Sequence, residues 1–313
     1  MASRRRLNRG HSVKNLRRAL CLLRSARFSF VIVQRIVSVM KLAYFGDVVG
    51  KPGRQAVLAH LPGLKTHLGL DFTVVNGENA AGGFGLTSAI AEEFFAAGAD
   101  CLTLGDHAWD QKEALTYIER EDRLLRPANY PQGANAPGKG ANLYTLPDGR
   151  RVGVVQLQGT VFMKQVLDNP FQAADKALEE MPLGMVADAV IVDMHCEATS
   201  EKMAMGHYCD GRASLVVGSH THIPTADHQI LMGGTGFLAD AGMCGDYDSV
   251  IGMKKENSIE RFATQMPGSR YQPAEGEGTL CGVYIETDDS TGLTKRIEPL
   301  RLGGRLSQAV PEV

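Results

Sequence analysis

From Met40 onward the chain alternates short apolar runs with stretches of helical periodicity, and this rhythm leaves few folds open. Residues 40–45, 72–75, 101–104, 189–194 and 215–218 are dense enough in apolar side chains for buried strands. Between the first two, Val57, Leu58, Leu61, Leu64 and Leu68 form a helical stripe interrupted near Pro62, with Pro52 just inside the helix start. Thr87 or Ser88 can cap a helix running to Gly98, and residues 109–120 and 171–181 read as helices. Residues 142–146 and 152–157 flank Pro147-Asp148-Gly149 as a hairpin, 230–238 form a second, and a third closes the chain through Tyr284 and Ile297. Residues 127–140, dense in Pro, Gly and Asn, read as a surface loop. The loop-rich insert 242–278 is long for a structureless connection, which makes it a candidate lid or oligomer contact. With no internal repeat or linker, one domain with a mixed, two-sheet α/β core is expected.

Charge is unevenly distributed. Residues 1–40 hold nine Arg and one Lys with no acid, so a whole-chain net charge of −2 leaves −12 for the remainder. An acidic body excludes electrostatic capture of nucleic acid along a basic face, although a local pocket or metal ions can still take phosphate. No apolar run reaches membrane-spanning length, so no membrane association is expected. The six cysteines form no C-x-x-C pair, which suits scattered reduced thiols in a cytoplasmic protein rather than a disulfide frame. The basic segment 1–39 is set apart from the fold. It is read first as upstream sequence ahead of a start at Met40, second as a targeting segment and third as a functional basic tail. Residues 40–305 then form the folded domain and 306–313 a C-terminal tail.

Five of the apolar runs end in polar residues. They deliver Asp47; Glu78 and Asn79; Asp106 and His107; His195; and His220 and His222. Asp47 alone would be a turn or cap residue, and His195 alone a satisfied buried histidine. The pair His220 and His222 says more, because alternate residues of an extended segment face the same way and two imidazoles would converge. Carboxylates, an amide and imidazoles together fit first-row transition metals better than a nucleophilic triad. A Cys/His nucleophile using Cys196 is the rival, weakened because His195 and Cys196 point oppositely in a strand.

The motifs F-G-D-V-V-G-K-P-G-R, N-G-E-N-A-A-G-G, G-D-H-x-W-D, D-M-H-C-E-A-T-S-E-K and G-S-H-T-H-I-P-T-A-D occur in order between Met40 and about Leu302. This succession resembles the YmdB-like branch of the calcineurin-like metallophosphoesterases. The resemblance implies a four-layer α/β/β/α sandwich with two mixed β-sheets, a binuclear centre often occupied by iron, with Mn or Zn as alternatives, and phosphodiesterase activity on 2',3'-cyclic nucleotides. Carried over residue by residue, Asp47, Glu78, Asn79 and His222 match the ligands of one ion. Glu78 would bridge to a second ion held by Asp106, His195 and His220, and His107 matches the proton donor to an attack by metal-bridging hydroxide.

One position departs from the family pattern, which has Asn where this chain has Asp106. A carboxylate there lowers the formal charge of a two-metal centre by one, so tighter metal retention with slower turnover, or preference for a more highly charged metal state, is expected. A weakly active or inactive metal- and nucleotide-binding regulator, or a phosphomonoesterase, is therefore kept as an alternative. The expected partner is a small phosphoester, with a homo-oligomer possible. Among the neighbours, Ala80 to Gly85 read as a turn, Thr199, Ser200 and Glu201 as helix capping, Lys51 and Arg54 as solvated, and Trp109 as a core anchor.

Overall fold

In the computed structural model residues 39–312 are described; the basic segment, apart from Val39, lies outside them. Strand β1 (Met40–Phe45) sends Leu42 and Tyr44 into one apolar cluster and Ala43 and Phe45 into another. Both faces are covered, which is why the strand reads as an unbroken apolar run. Helix α1 (Gly50–Leu68) leads to β2 (Phe72–Asn76), α2 (Ser88–Ala96) to β3 (Cys101–Thr103), and the short α3 (Ala114–Tyr117) to β4 (Leu124–Leu125). These four strands pair in parallel. Thr87 caps α2, its Oγ1 accepting from the Ile90 N–H at 3.3 Å.

The second sheet begins with the hairpin of β5 (Ala141–Thr145) and β6 (Arg151–Gln158). Helix α4 (Pro170–Glu180), β7 (Ala189–His195), α5 (Thr199–Tyr208) and β8 (Leu215–Ser219) follow, then β9 (Gln229–Ile230) and β10 (Gly236–Leu238), giving the order β5-β6-β7-β8-β10-β9. The chain then returns through β11 (Gly245–Asp246), α6 (Lys255–Thr264), β12 (Gly278–Thr287) and β13 (Thr294–Leu302). Strand β12 lies antiparallel beside β1, so the first sheet runs β11-β12-β1-β2-β3-β4 with β13 on β12.

Three apolar clusters make four layers of this. Leu61, Leu64 and Phe94 pack α1 and α2 on the outer face of the first sheet; Ala174, Leu178 and Met205 pack α4 and α5 on the second. Leu42, Tyr44, Val74, Ile191 and Val217 fill the space between the sheets. The α/β/β/α sandwich with two mixed sheets is thus the observed fold. Truncating a residue such as Leu42, fully buried in the middle layer, would cost about 2–5 kcal/mol.

Local structure departs from expectation at four places. Helix α1 runs through Pro62 without a break. A mid-helix proline costs about 3 kcal/mol, but Val57, Leu61, Leu64 and Leu68 are buried on the same face, each contributing about 1.5–3 kcal/mol. Residues 109–120 are mostly turns, with only four residues helical. The insert is not structureless: it carries β11 and α6, and its Met243 and Met253, with Tyr247 and Tyr271 beside them, pack on Val49 just ahead of α1. The final residues fold back on β13 through paired Arg301 and Ala309 backbone bonds of 2.8 and 2.9 Å. No helix among the described residues is long and apolar enough to cross a membrane.

Candidate metal centre

Parallel strands all point the same way, so their C-terminal ends share an edge, where ligands collect in α/β sheets. Asp47 follows β1, Glu78 and Asn79 follow β2, and Asp106 and His107 follow β3. From the second sheet, His195 is the last residue of β7, and His220 and His222 lie just past β8. Contacts across the two sheets join them. The His220 N–H donates to Asp47 Oδ2 at 3.1 Å, and His195 Nδ1 lies 3.7 Å from Asp47 Oδ1.

Glu78, Asp106, His195 and His220 form a tight group whose donor atoms all lie within 4.8 Å of one another. His195 Nε2 is 3.2 Å from Glu78 Oε1, 3.1 Å from Asp106 Oδ1 and 3.1 Å from His220 Nδ1. The proton positions follow from the neighbours. Ser219 Oγ–H donates to Asp193 Oδ1 at 2.8 Å, so it accepts from His195 Nδ1–H, also at 2.8 Å. In the neutral ring Nε2 then presents a lone pair to two carboxylates and an imidazole. Burial opposes charge on His195, but Glu78, Asp106 and Asp47 outweigh it and hold its pKa well above the usual imidazole range. Asp106, against the opposing effect of burial, is held below the carboxylate range by His195 and His220. A site that draws positive charge so strongly suits a cation.

Two further observations fit a metal. A Cβ at Gly105 would lie 2.3 Å from His195 Nε2 and 2.4 Å from Glu78 Oε2, so only glycine keeps the space between these donors open. Asp47 Oδ1 and Asn79 Oδ1 are buried and accept no hydrogen bond. Each such orphan costs roughly 1–3 kcal/mol unless a ligand satisfies it. The Asn79 amide is oriented, its Nδ2–H donating to Gly83 O at 3.1 Å. His222 Nδ1–H donates to Ile251 O at 2.9 Å, leaving Nε2 free to bind. Asp47, Asn79 and His222 therefore offer donors that the tight group does not include.

His107 stands at the rim, about a quarter exposed. Its backbone N–H donates to Glu78 Oε2 at 3.1 Å, and its ring Nδ1 lies 2.8 Å from Asp110 Oδ2. Burial works against a charged ring, but Glu78, Asp106 and Asp110 prevail and raise its pKa above the usual value.

Several local expectations are corrected. His220 and His222 are not alternate residues of an extended segment: β8 stops at Ser219, and their φ angles of 94° and 67° are left-handed. The Cys196 thiol is buried, bonds the Ala198 carbonyl and is pushed up by desolvation, which removes it as a nucleophile. Helix α5 has Ala198 at its cap with no side-chain bond, and Glu201 instead accepts the Thr160 N–H at 2.9 Å. Arg54 is not simply solvated, since it donates to Ala80 O at 2.7 Å and braces the Gly-rich turn. Trp109 packs partly buried against the outer core and tilts over Tyr130.

Sequence reading missed the supports of the centre. Asp193, fully buried between the sheets, accepts from Tyr44 Oη at 2.8 Å and Thr103 Oγ1 at 2.7 Å as well as from Ser219. Burial pushes its carboxyl up to about 6. An acid inside the apolar run 189–194 was a legible anomaly, because lone buried acids are rare. Ser219, Glu197 at 3.4 Å from His220 Nε2, and the Ile251 carbonyl had no comparable signal.

Comparison with known proteins gives concordant matches. The profile of the family described as YmdB-like protein matches residues 43–300. A 2',3'-cyclic-nucleotide 2'-phosphodiesterase of Bacillus subtilis (strain 168) is 46% identical over 259 residues, which is 83% of this chain and 96% of that protein. A solved structure of a hypothetical protein from Thermus thermophilus is similar with a TM-score of 0.78 at 41% identity, covering 85% of this chain and 100% of that one. A novel phosphatase from Mycoplasma pneumoniae gives a TM-score of 0.79 at 31% identity, over 86% and 95% of the two chains.

Proposed function

This chain belongs to the YmdB-like family, and on that premise we propose that it is a metal-dependent phosphodiesterase acting on nucleotides, 2',3'-cyclic nucleotides first among them. The observation that carries this reading is the group of Glu78, Asp106, His195 and His220, whose candidate ligand atoms all lie within 4.8 Å of one another. Asp47, Asn79 and His222 would hold a second ion beside it, with Glu78 shared between the two sets of ligands. The mixed oxygen and imidazole donors favour first-row transition metals, and among these the family resemblance implies iron, with Mn or Zn as alternatives. When bound, the ions supply a water acidified toward neutrality and a positive clamp on the phosphate oxygens.

The chain's own residues do the rest. Asp110 fixes the His107 ring by its Nδ1, so that Nε2 is the nitrogen left to face substrate. Against the opposing effect of burial, Glu78, Asp106 and Asp110 raise the pKa of that ring, the direction that favours a proton donor to the leaving ribose oxygen. Glu78 accepts the His107 backbone N–H, tying the acid to the proposed bridging ligand. The five described cysteines are free, which accords with a reduced cytoplasmic setting.

The test couples metal analysis to a panel of 2',3'-cyclic, 3',5'-cyclic and monoester phosphates. Turnover confined to 2',3'-cyclic substrates is expected; hydrolysis of monoesters alone would make the protein a phosphatase. Asp106 gives a second reading some weight, and retained metal without turnover of any substrate would favour a regulatory role. His107→Ala should lower turnover by about 10²-fold while leaving metal content intact. Loss of metal in that variant would instead make His107 a ligand or a structural residue.

A further inference from the structure

Behind the loop that carries His220 and His222 lies a buried ion pair with no part in the chemistry so far described. Lys202 Nζ donates to Asp240 Oδ2 at 2.6 Å, with side chains only 1% and 2% exposed. Lys202 rises from α5, and its stem lies against Gly218, where a Cβ would come within 2.7 Å of Lys202 Cδ. The same Asp240 Oδ2 accepts the Thr221 N–H at 3.1 Å and Thr221 Oγ1–H at 2.7 Å, while Oδ1 accepts the Gly242 N–H at 2.8 Å. All the donors on this carboxylate are therefore the lysine, the residue between the two histidines, and the turn whose neighbour Met243 N–H bonds the His222 carbonyl.

That arrangement coincides with backbone strain. His220 and His222 both have positive φ, a conformation that costs a non-glycine residue energy and persists only where surrounding contacts impose it. A buried ion pair is weak evidence for stability, since well-packed apolar residues of similar volume often do as well. What apolar residues cannot do is accept three hydrogen bonds at one oxygen and so fix Thr221 in place.

We propose that Asp240, held by Lys202, is the positioning residue for the two-histidine loop. It anchors Thr221 so that His220 and His222 keep left-handed conformations, one ring on the tight group and the other held by the Ile251 carbonyl. The inference rests on the reading of His220 and His222 as metal ligands. Its consequence is that metal affinity, rather than fold stability, depends on the Thr221 anchor.

Co2+ titration of the metal-free full chain, followed by visible absorption and by metal-to-protein stoichiometry, tests this. Thr221→Val removes one hydrogen bond and leaves the buried pair intact. It should weaken Co2+ binding about tenfold and alter the absorption bands, with thermal unfolding nearly unchanged. Thr221→Ser should restore both. The double variant Lys202→Met with Asp240→Asn leaves no unpaired buried charge and should weaken binding by about 10–100-fold. Unchanged affinity and spectrum in Thr221→Val would overturn the proposal. His220→Ala and His222→Ala separate the two levels of inference. If they lose Co2+ while Thr221→Val does not, only the positioning role fails; if they keep Co2+, the ligand reading falls and the positioning role with it.

Discussion

The two sheets contribute unlike halves to the proposed site. The first supplies oxygen: Asp47, Glu78, Asn79 and Asp106, all on loops directly after parallel strands. The second supplies nitrogen: His195, His220 and His222. The oxygen donors need little orientation, since a carboxylate offers several lone pairs in many directions. Two of these oxygens, Asp47 Oδ1 and Asn79 Oδ1, are left without a hydrogen bond. An imidazole offers one lone pair, and the other nitrogen must be tied for it to point correctly. Hence His195 leans on Ser219 and Asp193, His222 on Ile251 O and His220 on Glu197. Charge comes from one half and direction from the other.

Breaking the oxygen half should hurt most. Glu78→Gln removes a buried charge that both His195 and the His107 backbone contact, and turnover should fall by about 10³-fold, with metal lost on dialysis. Hydrolysis assays beside elemental analysis would show it, and near-normal activity would end the bridging assignment. Ser219→Ala probes the nitrogen half more gently. It frees His195 Nδ1 and leaves Asp193 short of a donor, so metal affinity should drop by about 10-fold while the carboxylates stay in place. An equal loss in both variants would erase the distinction between the halves. Asp106→Asn sharpens it from the other side, since an amide in this position relieves negative charge without moving a donor. Turnover should rise severalfold and metal dissociate faster, as stopped-flow chelation would record; unchanged values would mean that charge at position 106 is immaterial.

The smallest effect lies outside the centre. Burial pushes the thiols of Cys101 and Cys281, both in the first sheet, up to about 12 and about 11. Their thiolates are therefore scarce at pH 8 and grow roughly tenfold per pH unit until those values are reached. In the native protein, alkylation followed by mass spectrometry should find both unmodified at pH 8.

Much of this was legible in residue order because parallel strands and their polar ends leave a one-dimensional trace. Apolar runs such as 40–45 announced strands covered on both faces, and the polar residue just past each run announced the site. What the sequence concealed were interactions between residues far apart along it. The helix through Pro62 survives because its buried face outweighs the proline. The bend at His220 and His222 is imposed by Thr221 and Asp240, and nothing in G-S-H-T-H itself calls for left-handed histidines. The insert looked loose because the aromatic and methionine contacts that fasten it to Val49 come from three separate segments.

Strand β1 sits between β2, its near neighbour in sequence, and β12, which is made more than two hundred residues later. Gly46 N–H bonds the Cys281 carbonyl at 3.1 Å, and the Cys244 N–H bonds the Asp47 carbonyl at 2.8 Å. The segment bearing the first carboxylate is thus clasped by residues that lie far along the chain from it. A chain that lacks β11 and β12 cannot form these bonds to the segment that carries Asp47. A message truncated before β12 would yield a chain that carries every proposed ligand yet lacks the strand that holds β1 on one side.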